Sequence, residues 1–200
     1  MQLSKFLSII LHPIFMPLLA LHLTLVTLPY LVFSISQYLN YIYGIVIFCT
    51  IILPLLSIFF LMRKGRVGSL EISNHKERSL PLFITALWMS LGFFMLNNIL
   101  FYAPILKAEI IGAILIILFA AIISKFWKIS LHLLAIGGVV GVFIALQLIE
   151  GGVLYLLLIF ILLSGILGVA RIAQKAHNHT QVYLGFLLGM SVALITLLLY

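Results

Sequence analysis

Apolar runs of about twenty residues, separated by short polar segments, make up nearly the whole chain. A helix needs about 20 apolar residues to cross the hydrocarbon core of a bilayer at about 1.5 Å per residue. Backbone N–H and C=O groups find no water there, so a spanning run must be helical unless it shows the alternating pattern of a barrel strand. These runs show no such alternation. The sequence therefore predicts an all-α, polytopic transmembrane helical bundle.

Seven runs are long enough to cross, and they lie at residues 7–33, 41–62, 80–102, 105–124, 129–148, 152–170 and 181–200. The first contains Pro13, Pro17 and Pro29, which remove backbone donors and kink helices. It either crosses or is re-entrant, so six spans is the alternative. Hydrophobic residues make up 65% of the 200 and charged residues 8%, and no polar stretch is long enough to fold separately. We expect one membrane-embedded domain over residues 1–200.

The basic residues are distributed unevenly between the two faces of this seven-span topology. Ten of the eleven lysines and arginines fall on the face that holds the N-terminus, and Lys107 falls on the other. The positive-inside rule makes the basic face cytoplasmic. Topology and contact with anionic lipid headgroups account for the net charge of +7. We therefore expect no nucleic-acid partner.

Several kinds of site are disfavoured by what the sequence contains. Aspartate is absent, and the four glutamates are scattered over both faces. A carboxylate-bridged metal site or a two-carboxylate hydrolase is therefore not expected. The chain also has no Gly-rich phosphate loop of the nucleotide-binding kind. We expect neither a metal nor another cofactor.

Ser130 and His132 form a short polar block at the start of the fifth predicted span. The N-terminus of a helix has free N–H groups and the positive end of the helix dipole, which favours an anion. The Ser130 hydroxyl can add a donor there. The alternative is a serine N-cap followed by a histidine in the first turn.

Arg171, His177 and Gln181 form a second block before the last span, and Arg78 with Pro81 forms a third. A guanidinium group can hold two phosphate oxygens, and an imidazole nitrogen can attack phosphorus. Gln181 lies four residues after His177, so on one helix face it can orient the ring by a hydrogen bond. The alternative is an ordinary basic and polar loop. In the seven-span topology, all three blocks lie at the same face.

These blocks resemble the three signatures of the type-2 phosphatidic acid phosphatase superfamily, over residues 76 to 189. The third signature reads Ser-Arg, five residues, His, three residues, Asp. It resembles the segment in which Arg171 is followed by five residues, His177, three residues and Gln181. Ser130-Leu131-His132 resembles Pro-Ser-Gly-His, and Arg78 near Pro81 resembles the Arg-Pro end of the first signature. The resemblance implies a phosphatase-like core over about residues 76–200.

The resemblance implies that His177 is the nucleophile and His132 the general acid. It implies that Arg78, Arg171 and Ser130 bind the phosphate and that no metal is needed. The signatures are degenerate. In the second signature, Ile129 and Leu131 stand where the family has Pro and Gly. In the third, Ala170 replaces Ser and Gln181 replaces Asp. In the first, Glu71 falls at the position of the lysine.

Three functions remain open at this point. The resemblance implies a hydrolase that removes phosphate from a lipid phosphate or diphosphate through a phosphohistidine. The alternatives are a non-catalytic relative that binds anionic lipid headgroups or moves lipids, and a structural membrane protein. We expect an integral protein of the bacterial inner (cytoplasmic) membrane. The family's site usually faces away from the cytoplasm, whereas the charge bias places it inside, so the side stays open.

Overall fold

The computed structural model describes residues 2–69, 72 and 74–199, with side chains from residue 4 onward at the N-terminus. Its α-helices are α1 (Gln2–Ile10), α2 (Met16–Thr27), α3 (Pro29–Ile35), α4 (Leu39–Ile47), α5 (Leu53–Arg63), α6 (His75–Leu100), α7 (Pro104–Ser124), α8 (Leu131–Ile149), α9 (Leu154–Ala173) and α10 (His179–Leu198). A 3₁₀ turn at Pro13–Phe15 joins α1 to α2, and another at Ser36–Tyr38 joins α3 to α4. A π-helical turn at Phe48–Ile52 joins α4 to α5.

Seven helical stretches of the described residues are long and apolar enough to cross a membrane. They are Ser4–Thr27, Pro29–Arg63 and each of α6 to α10. The predicted helical membrane bundle with seven spans is confirmed, and the protein is an integral membrane protein. The last five spans begin and end within five residues of the predicted limits.

The limits predicted for the first two spans were partly wrong. The break between them falls at Leu28, well before residue 33, because Pro29 has no N–H to continue the helical hydrogen bonding. Residues 29–35 form α3 instead of the end of the first span. Residues 39–63 alone measure about 37 Å as a helix, which is enough for one crossing. Their limits are close to the predicted span of 41–62.

The proline-rich first segment extends along the whole length of α8. The ring of His12 contacts that of His132 at the start of α8, with ring centroids 5.4 Å apart. The Tyr30 hydroxyl donates a 2.8 Å hydrogen bond to Glu150, directly after the end of α8. The segment therefore passes from one end of the bundle to the other and does not turn back, which supports seven spans over six.

Helix α8 is the centre of the bundle and packs most closely against α10. Two thirds of the α8 span is buried, a larger share than in any of the other described spans. A Cβ atom at Gly189 of α10 would overlap the backbone carbonyl of Leu134, and one at Gly137 of α8 would overlap that of Phe186. Small residues let membrane helices approach to backbone contact. This contact fixes the start of α8 beside the start of α10.

Candidate functional site

The three polar blocks predicted to converge lie at one end of the bundle. At this end the starts of α6, α8 and α10 meet the end of α9, because these helices run alternately up and down. We call five side chains there the polar cluster: Arg78, Lys128, His132, Arg171 and His177. All five line the same cavity.

Arg78 lies in the first turn of α6 and is buried, with 7% of its surface exposed. Its Nε donates a 2.6 Å hydrogen bond to the carbonyl of Ile72, and its Nη1 donates a longer bond of 3.4 Å to the carbonyl of Ile129. These bonds tie Ile72, between α5 and α6, to the segment that precedes α8. A guanidinium has five N–H donors, so further donors of Arg78 are available to an anion in the cavity.

Ser130 occupies a different place from the one predicted. Its side chain is fully buried and is not part of the cavity lining. Its backbone N–H donates to the carbonyl of Gln181 over 3.2 Å, and its own carbonyl accepts from Leu134 at the start of α8. Its hydroxyl makes no hydrogen bond within the described part of the chain. In this conformation Ser130 joins α8 to α10, and its hydroxyl does not face a cavity ligand.

His132 lies in the first turn of α8 and contacts the N-terminal helix. Its Nε2 is 3.0 Å from the backbone carbonyl of Ser8. Because a carbonyl only accepts, Nε2 must carry the hydrogen of this bond. The bond satisfies one of the carbonyls left over at the end of α1. The ring therefore has a structural partner as well as a place in the cavity wall.

Arg171, in the last turn of α9, shares that N-terminal partner. Its Nη1 donates to the Ser8 hydroxyl and to Oε1 of Gln174, each over 3.2 Å. The Nε2 of Gln174 donates a further 3.0 Å bond to the same hydroxyl. The Ser8 oxygen thus sits among donors that suit a phosphate oxygen. Sequence reasoning missed Ser8 and Gln174, and only the placement of Gln174 three residues after Arg171 gave any signal.

His177 lies in the connection between α9 and α10, with 6% of its surface exposed. Its Nδ1 is 3.0 Å from Oε1 of Gln181. The same Oε1 accepts from the backbone N–H of Asn178, which identifies it as the carbonyl oxygen of the amide. Nδ1 of His177 must therefore be the donor, which leaves the lone pair of a neutral ring on Nε2.

The contact between His177 and Gln181 was predicted, but its geometry differs from the prediction. The two residues do not share a helix face, because His177 precedes the N-cap residue Asn178. Gln181 is the third residue of α10, and it reaches back as the partner of Asn178 in a capping box. The cap of α10 therefore sets the orientation of the imidazole.

The surroundings keep the His177 ring neutral. Burial lowers its pKa to about 4, the hydrogen bond with Gln181 opposes this shift, and the positive charges of Arg171, Arg78 and Lys128 add to it. Burial also lowers the pKa of Lys128, again with a contribution from the two arginines. The like charges of Arg78, Lys128 and Arg171 thus act on one another and on the His177 ring. The polar cluster is thus an electropositive site with an unprotonated imidazole.

A cavity of about 1010 Å³ extends from the polar cluster into the bundle. Below the cluster its wall is mostly apolar and comes from α2, α6, α7 and α8 together with the α4–α5 segment. On α8 the lining residues extend from Leu131 to Val142, a depth of about 16 Å along the helix. The volume is at the upper end of ordinary ligand pockets. An anionic group at the cluster with a long apolar chain below it fits this shape.

The described residues contain no group of three or more histidines, cysteines or carboxylates that could hold a metal ion. The polar cluster instead consists of three cationic donors and two imidazole rings. Comparison of the chain with protein-family models, curated proteins and solved structures finds no match. The function must therefore be argued from the geometry of the cluster and its cavity.

Proposed function

We propose that the protein hydrolyses a phosphate or diphosphate carried by a membrane lipid, through a phosphohistidine on His177. The observation that carries the proposal is the state of that ring. Its proton is held on Nδ1 by Gln181, which leaves the lone pair on Nε2. The side chain lines the same cavity as two arginines and a lysine, whose charges help to keep the ring neutral. A neutral imidazole nitrogen beside cations is what attack on a bound phosphate requires.

The proposed reaction has two steps. Arg78, Arg171 and Lys128 hold the phosphate oxygens while Nε2 of His177 attacks phosphorus. The new P–N bond replaces the bond to the leaving oxygen, which takes a proton from His132. For this His132 must first gain a proton and release the Ser8 carbonyl, and the bound phosphate stabilises the protonated ring. Water then gives a proton to His132 and attacks phosphorus, which breaks the P–N bond, returns the electron pair to Nε2 of His177 and releases phosphate.

The apolar part of the substrate would occupy the cavity below the cluster. Its lining is contributed by helix faces that carry few polar groups, and the polar cluster lies at one end of the spans, where lipid headgroups are found. A substrate that enters from the bilayer suits a protein with so little polar surface. The sequence resemblance leads us to place the protein in the bacterial inner membrane.

Phosphate release from purified protein, supplied with phosphatidate, phosphatidylglycerol phosphate and a polyprenyl diphosphate in detergent, tests the proposal. We expect His177→Ala and His177→Asn to abolish release while lipid phosphate still binds, because the cations remain. His179→Ala is the matched control, since His179 is exposed two residues away and does not line the cavity. Release that survives both His177 variants contradicts the proposal.

Gln181→Glu provides a second test. Glutamate has the same length as glutamine, so it can keep the bonds to His177 and Asn178 while it adds a charge that stabilises the imidazolium. We expect a faster reaction if the protein is an enzyme. Wild-type protein that binds lipid phosphate, with no release in either form, would identify it as the non-catalytic lipid-binding alternative.

A further inference from the structure

Glu109 is a buried carboxyl group in the membrane-spanning part of the bundle, far from the polar cluster. It lies on α7 with 7% of its surface exposed, and it lines the cavity. Its Oε1 accepts a hydrogen bond from the hydroxyl of Thr24, which is fully buried on α2. Its Oε2 is buried and has no hydrogen-bond partner within residues 2–69, 72 and 74–199. The proposed phosphatase chemistry uses neither residue.

Three distances along two helical segments agree on the depth of Glu109. It lies fifteen residues before Ser124, which contacts the start of α6 at the cluster end, and so about 22 Å from that end. Thr24 lies twelve residues after His12, or about 18 Å along its segment. Glu109 is five residues inside the start of α7, about 8 Å from the opposite end. It therefore stands at the deep end of the cavity.

The helices that pack against α7 are α2, α6, α8 and α10. Their titratable side chains are His22 on α2; His75, Lys76, Glu77 and Arg78 on α6; His132 on α8; and His179 and Tyr183 on α10. All except His22 lie in the first turns at the cluster end, and His22 contacts the Tyr43 hydroxyl at 2.9 Å. On α7 itself, Lys107 is two residues from Glu109 and so about 200° around the helix.

We propose that Glu109 is a proton-binding site at the deep end of the cavity. An ionised carboxylate inside the membrane is costly without a cation beside it, and an intramembrane carboxyl is a functional candidate for that reason. A proton on Oε2 removes the charge and makes that oxygen, which accepts no hydrogen bond, a donor. Proton exchange proceeds through the cavity, because Glu109 lines it. This site is independent of phosphate hydrolysis.

An apolar carbodiimide tests the proposal on the full chain in lipid vesicles, with adducts mapped by mass spectrometry. The carboxyl proton passes to one carbodiimide nitrogen while the carboxylate oxygen bonds to the central carbon, and the product rearranges to a stable N-acylurea. We expect Glu109 to be labelled several-fold more than Glu150, which is exposed and accepts from Tyr30. A water-soluble carbodiimide with an added amine should reverse this order.

Raising the pH supplies the second measurement. The ratio of Glu109 to Glu150 adducts should fall as Glu109 loses its proton. Thr24→Val removes the donor that stabilises the ionised form, so labelling should persist to higher pH, whereas Thr24→Ser should behave as wild type. Glu109→Gln should lose the adduct and Glu150→Gln should keep it. Absence of the adduct at Glu109 at pH 6, or a ratio that does not change with pH, overturns the proposal.

Discussion

The neutral state of His177 predicts an unusual response to acid. For a histidine with the ordinary pKa of about 6.5, about 10% of the rings are neutral at pH 5.5. With the pKa of His177 lowered to about 4 by burial, about 97% remain neutral at that pH. The proportion of neutral rings at pH 5.5 should therefore be about tenfold larger than for an exposed histidine. Histidine ¹⁵N NMR of the protein in detergent measures this directly, with His177→Asn to assign the signal.

The same spectra test the cause of the shift. Lys128→Met removes a positive charge that lowers the pKa of His177, so the titration midpoint should rise. Gln181→Leu removes a hydrogen bond that raises this pKa, so the midpoint should fall, and the proton should no longer be fixed on Nδ1. Opposite shifts in the two variants are a specific consequence of the geometry. A wild-type midpoint near 6.5, or a proton on Nε2, refutes the reasoning.

Stability should change over the same pH range. The folded-state pKa of His177 lies below its unfolded value, so between pH 6.5 and pH 4 the unfolded chain binds more protons. The contribution of His177 to the free energy of unfolding should therefore be complete above pH 6.5 and should decrease as the pH falls towards 4. About 2.5 pKa units correspond to about 3 kcal/mol. His177→Asn should lose this part of the acid sensitivity, which thermal unfolding at a series of pH values can measure.

Three further predictions concern the N-terminal helix, the packing and the orientation. Ser8→Ala should strengthen binding of a lipid phosphate about tenfold, measured by calorimetry, because hydrogen bonds from a charged donor are worth about 1.5–3 kcal/mol and would become available to the ligand. Gly189→Ala should destabilise the protein by about 1–3 kcal/mol in thermal unfolding, because its Cβ meets a backbone carbonyl, whereas Gly165→Ala has open space and should be neutral or stabilising. With the native cysteine replaced, a cysteine at Ser36 should react with an impermeant reagent in intact cells and one at Ser69 should not, and the reverse pattern would contradict the charge-based orientation.

The number of spans could be predicted from apolar length, whereas the boundary between the first two depends on Pro29. The convergence of the three blocks was also predictable, since alternating crossings return to the same face. The contact of Gln181 could be predicted only in part. Its spacing of four residues from His177 fits a shared helix turn, whereas the capping box is formed with Asn178, three residues before Gln181. The buried position of Ser130 was not predictable, since it depends on how closely α10 approaches α8 at Gly185 and Gly189.

Two groups of contacts were inaccessible to sequence reasoning because they join distant parts of the chain. Ser8 meets Arg171 across 163 positions, and Thr24 meets Glu109 across 85. Neither pair has a local spacing that indicates the contact. Such pairs depend on which faces of the first segment turn towards the bundle. That rotation is set by the proline-broken geometry between α1 and α2, which periodicity does not predict.

The contacts of Ser8 connect the N-terminal helix to the proposed chemistry. Its hydroxyl and carbonyl accept from Arg171, Gln174 and His132, and two of these side chains would have to serve the substrate. A phosphate that engages both therefore competes with α1 for the same donors. By thermodynamic linkage, docked α1 lowers the affinity for phosphate by the same factor by which bound phosphate weakens the docking of α1. Release of α1 would also free the His132 ring, so headgroup binding and the availability of the general acid depend on one displacement.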